Sequence, residues 1–160
     1  MDTVTQGIDA RQELVNWLHG VVHMTCADIM AVPEEKWTQS FGGCTRPTYE
    51  LIADATAFAN WIREALHGTF TPYDGSVINN MGEQMKTREA AVAKVKEVGA
   101  SLAAAISEAS IETLNKTVQV PWGEQKLYSL AQTAVSHFWY HDGQINYVQC
   151  LLGDEQVHWQ

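Results

Sequence analysis

Residues 127–152 read LYSLAQTAVSHFWYHDGQINYVQCLL, followed by Gly153. Leu130, Ala134, Ile145, Val148 and Leu152 recur at helical spacing, so the stretch predicts one long amphipathic helix that stops at the glycine. His137 and His141 are four residues apart. At about 100° per residue that places them one turn apart on the same face. The face is the centre of the apolar stripe, where leucines would otherwise sit. Two imidazoles in a core leave ring nitrogens that need partners. A shared metal ion would satisfy both, and hydrogen bonds to core neighbours would be the ordinary alternative.

Working outward, three more segments carry helical periodicity. The first covers about residues 9–30, with Leu14, Leu18, Val21, Val22 and Ile29 on one face and Pro33 after it. The second opens at Pro47 and continues through Leu51, Ala55, Phe58, Ile62 and Ala65 to Gly68. The third, about residues 84–110, is rich in Ala, Lys and Glu, with Gly99 as a local weakness. The stretch between the first two helices, 33–46, reads as irregular. Residues 68–83, GTFTPYDGSVINNMGE, read as a long connection. It is long enough to return the chain along a helix of about 30 Å, so the second and third helices can run parallel. Around TVQVPWGEQ, residues 117–125, a short hairpin or extended arm is expected. The fold class is therefore all-α: one domain over 1–160, a four-helix bundle for which the long connection allows, but does not require, up-down-down-up order.

The totals exclude several functions. With 19 Asp and Glu against 10 dispersed Lys and Arg, the net charge is −9, which argues against nucleic acid or an anionic membrane as partner. No run of about 18 apolar residues is present, so no membrane span is expected. The start, MDTVTQGIDARQELV, has no basic-then-apolar signal-peptide pattern. The three scattered cysteines, Cys26, Cys44 and Cys150, form no CxxC pair and read as reduced thiols of a cytoplasmic protein.

A metal site needs more than two histidines. On the second helix, Asp54 falls within the apolar face, toward one edge, while Glu50, Arg63 and Glu64 lie farther round. A carboxylate there needs a partner: a hydrogen bond, an ion pair at the bundle edge, or a metal shared with His137 and His141. Gln144, near the same face as His141, could orient a ligand or water. Tyr140 and Trp61 could line a pocket or could be ordinary packing. A second HxxxH pair, His19 and His23, falls at the flank and solvent side of the first helix and reads as surface.

The pattern His137-x-x-x-His141-x-Gly143-Gln144 near the end of a last helix resembles the DinB-like (DinB/YfiT) superfamily of metalloenzymes. So do the Pro-Glu-Glu turn at 33–35, the stretch PTYELIADATAFANWI at 47–62 and the late extended segment. The resemblance implies an up-down-down-up bundle, frequent pairing into homodimers and a zinc or nickel site held by three histidines. Two of these map onto His137 and His141. The third maps onto Asp54, a departure that favours harder metals such as iron or manganese somewhat. Members with known chemistry use low-molecular-weight thiols as transferases or isomerases. The expectation is a metal-dependent enzyme acting on a small molecule with a metal-activated thiol. The alternatives are a non-catalytic metal- or ligand-binding stress-response protein and a metal-dependent hydrolase.

Overall fold

A computed structural model describes residues 9–160. Most of the amino-terminal stretch that was tested for a signal-peptide pattern lies outside the described residues. The described elements are α1 (Ala10–Ala31), α2 (Glu34–Trp37), α3 (Thr48–Leu66), α4 (Ser76–Glu83), α5 (Arg88–Glu108), α6 (Ile111–Asn115), β1 (Thr117–Val120), β2 (Gly123–Lys126) and α7 (Leu127–Leu151). The four long helices are those expected. Asp9 caps α1 by accepting the Arg11 N–H, and Thr87 caps α5 by accepting that of Ala90. β1 and β2 pair antiparallel, with Val120 opposite Gly123, whose φ of 121° suits only glycine. Among the described residues no helix is long and apolar enough to cross a membrane.

The directions of the helices follow from cross-contacts. Arg11, at the start of α1, reaches the Ala109 carbonyl, and Arg88, at the start of α5, reaches the carbonyls of Met30 and Val32. α1 and α5 are therefore antiparallel. Asp28 meets Asn146 and Gln149, while Trp17 and Trp139 share a surface groove, so α1 and α7 run parallel. Asp54 faces His141 and Phe58 faces His137, which makes α3 antiparallel to α7. The order is up-down-down-up, and each long helix touches two neighbours around a ring α1–α5–α3–α7.

Two expectations need correction. Residues 68–83 hold an eight-residue helix, α4, which packs along α3. Its Asn79, Asn80 and Gly82 are weak helix formers. Packing offsets them, since Gly82 lies so close to Tyr49 that an added Cβ would come within 3.3 Å of the ring. The stretch 33–46 likewise contains α2, whose buried Trp37 donates its indole N–H to the Met85 carbonyl.

Gly99 is not simply a weak point in α5. A Cβ there would meet Cγ2 of Val22 on α1 at 2.7 Å. Gly99→Ala should gain about 1 kcal/mol in helix propensity and lose about 1–3 kcal/mol to overpacking. A net fall in stability of about 1 kcal/mol is expected in urea unfolding; a more stable variant would contradict the close approach of α1 and α5.

Candidate metal centre

α3 and α7 bring Asp54, His137 and His141 together. One ligand atom from each lies within 4.8 Å of the other two. The two imidazole Nε2 atoms are 3.0 Å apart. His141 Nε2 lies 3.5 Å from Asp54 Oδ2, and His137 Nε2 lies 3.9 Å from Oδ1. His141 is buried, while His137 and Asp54 stand at the edge of the core. Of the two histidines placed at the centre of the apolar stripe, His141 is enclosed and His137 is partly open to solvent.

The hydrogen bonds fix the orientation of the His141 ring. His141 Nδ1–H donates to Gln144 Oε1 at 2.7 Å, and Gln144 Nε2 donates to the Tyr140 hydroxyl at 3.3 Å. That leaves His141 Nε2 facing His137 and Asp54. Gln144 therefore orients the His141 ring. Tyr140 is 63% exposed and meets the site through Gln144 and edge-on to the His141 ring at 5.0 Å.

The electrostatics favour ligand-ready forms. Burial pushes the Asp54 carboxyl up, but hydrogen bonds from His141 and Arg46 outweigh it and hold the pKa at about 2. Arg46 Nη1 donates to Asp54 Oδ2 at 2.9 Å, so the ion-pair alternative for Asp54 is also realised. His137 is held below the usual imidazole range, first by burial and then by the neighbouring His141, and is a neutral base at pH 7.

The residues fit a divalent ion. Two nitrogens bound to one ion at about 2.0–2.1 Å stand about 3.0–3.4 Å apart for bond angles between about 90° and tetrahedral. The His137–His141 separation already falls there. Beside the triad lies a cavity of about 380 Å³, walled by Phe58, Tyr73 and Trp122, with Asp54 and His137 at its base. Phe58 stands edge-on to His137 at 5.3 Å. Room for further ligands is thus on one side of the three side chains.

Trp61 does not line this cavity. It is buried behind it, 5.7 Å from Phe58 and 5.1 Å from Tyr73 between ring centres, and its indole N–H holds the Thr71 carbonyl at 2.7 Å. It fixes the 68–75 connection. His19 and His23 are exposed and line a separate groove between α1 and α5 with Cys26 and Lys96, away from the triad. All three cysteines are free, and Cys26 is buried. Sequence reading missed Arg46, Tyr73 and Trp122. The first precedes α3, Tyr73 lies in the irregular segment before α4 and Trp122 in the hairpin turn, where no periodicity assigns a side chain to a face.

No protein-family model matches the chain, and neither does any curated protein sequence. Solved structures do. The crystal structure of a DinB-like protein, YjoA, from Bacillus subtilis aligns with a TM-score of 0.64 over 92% of this chain and 97% of that one. The chain has the DinB-like fold. The sequence identity to YjoA is 14%, so the likeness lies in the fold. The DinB-like bundle also aligns with the mycothiol-dependent maleylpyruvate isomerase at a TM-score of 0.65 and 14% identity, and with a mutant of it at 0.64 and 17%. These alignments cover 84% of this chain, which spans 60% of the isomerase's length.

Proposed function

We propose that Asp54, His137 and His141 hold one divalent ion and that the protein is a metal-dependent enzyme using a low-molecular-weight thiol in group transfer or isomerisation. The observation that carries this reading is the convergence of two imidazoles and a carboxylate beside an open, apolar-walled cavity. The fold shared with a protein named as a mycothiol-dependent isomerase supports the thiol. When bound, the ion would hold a thiol as its thiolate at neutral pH. The chain's own residues do the rest. Gln144 orients the His141 ring, Arg46 steadies the Asp54 carboxylate, and Phe58 and Trp122 give the cavity apolar walls.

Zinc and nickel suit the imidazoles, while the carboxylate extends the range to iron and manganese. One observation favours a binding protein instead: Arg46 shares Asp54 Oδ2 and reduces what that oxygen offers an ion. Turnover separates the two readings. Metal-loaded and chelated protein should be compared with glutathione, bacillithiol and mycothiol against a panel of unsaturated carbonyl compounds and activated esters. The enzyme reading predicts turnover that needs both metal and thiol. Ester cleavage without thiol would indicate a hydrolase, and metal binding with no turnover would favour the binding protein.

A further inference from the structure

The Tyr73 hydroxyl oxygen is buried and has no hydrogen-bond partner. Such a group costs stability in the empty protein, so its persistence calls for a function. Its position is held from behind rather than by the hydroxyl. Phe58 packs edge-on to the Tyr73 ring at 5.6 Å, Trp61 lies at 5.1 Å, and the Trp61 bond to Thr71 anchors the backbone two residues earlier. The ring forms one wall of the cavity over Asp54 and His137.

The other hydroxyls lining that cavity have committed their protons. Thr133 donates to the Ser129 carbonyl and Ser136 to that of Gln132. Among the described lining residues, Tyr73 is thus the one hydroxyl with a proton still to donate. Beside it, Phe58 and Trp122 stand 6.2 Å apart between ring centres and add apolar lining.

We propose that Tyr73 is a ligand-positioning residue, whose hydroxyl donates to an acceptor oxygen or sulfur of a small molecule held at the Asp54–His137–His141 centre. The ligand class is a compact acceptor group on a flat apolar body, the body lying against the cavity wall that Phe58, Tyr73 and Trp122 form. This rests on the metal reading above and goes beyond it by naming what the cavity selects.

Hydroxamates test it, because they combine a metal-binding acceptor pair with a variable body. Cobalt(II)-loaded protein is titrated with benzohydroxamate and acetohydroxamate, followed by the cobalt visible spectrum. Benzohydroxamate should bind at least about tenfold more tightly, from burial of the ring. Tyr73→Phe keeps the ring and removes the hydroxyl. It should leave cobalt affinity within about twofold and weaken benzohydroxamate about tenfold. The metal-free Tyr73→Phe protein should also melt higher than wild type, by roughly 2–5 °C, because an unpaired buried hydroxyl is gone. Equal benzohydroxamate affinity in the two proteins, or a lower melting temperature for the variant, would overturn the role of Tyr73 while leaving the metal centre standing. Equal affinity for the two hydroxamates would overturn the flat apolar ligand class. Failure of wild type to bind cobalt would overturn the metal reading and this inference with it.

Discussion

Removing the divalent ion with a chelator should lower the melting temperature by roughly 5–10 °C, and adding the ion back should restore it. An ion at about 100 times its dissociation constant stabilises the folded state by about 2.7 kcal/mol, and a chain of this size shifts by about 2–4 °C per kcal/mol. His141→Ala should abolish binding, as it removes the nitrogen that faces both of the other proposed ligands. Asp54→Ala should weaken binding by at least about 100-fold, more than loss of an outer partner such as Gln144, for which about 10–100-fold is expected. Asp54→His should retain the ion, provided Arg46 does not repel it; metal content by mass spectrometry measures each case. Metal content in Asp54→Ala equal to wild type would remove Asp54 from the set.

Stability should fall by about 2–3 kcal/mol between pH 5 and pH 8 through a second carboxyl, Asp142. Asp142 follows His141 on α7 but turns toward α1, where it is buried with Thr25 and Asp28. Burial, and then the charge of Asp28, push its pKa from 3.8 up to about 7. Asn146 and Gln149 donate to Asp28, and Cys26 is the other titratable group of α1 near Asp142. A carboxyl whose pKa rises on folding keeps its proton in the native state after the unfolded chain has lost it. Its stabilisation is full below the unfolded value and disappears as pH rises through about 7. His137 acts in the opposite sense, because its depressed pKa costs stability as pH falls. The comparison of wild type with Asp142→Asn, both metal-free, separates them. The variant should lose the falling slope and melt above wild type at pH 8. An unchanged slope would show that Asp142 is not the group responsible.

These two groups show where a helical wheel works and where it stops. One apolar stripe on α7 led to His137 and His141, and one on α3 led to Asp54, because each faces the helix directly opposite. α7 also packs against α1, so its buried arc is wider than one stripe. Asp142 and Gln149 fall inside that second face, and no single-stripe reading assigns them to the interior. The hairpin was legible from Pro121, Gly123 and alternation around them. α4 was not, because its stability comes from α3 rather than from its own residues. Tyr73 was invisible for a related reason. It sits in an irregular segment, and the aromatic contacts with Phe58 and Trp61 place it beside the site.

The central claim is that one divalent ion sits between α3 and α7. Anomalous diffraction from a crystal grown without added metal tests it most directly. The account predicts a single strong peak within bonding distance of Asp54, His137 Nε2 and His141 Nε2. A peak at His19 and His23 instead, or no peak in protein that retains its native fold, would contradict it.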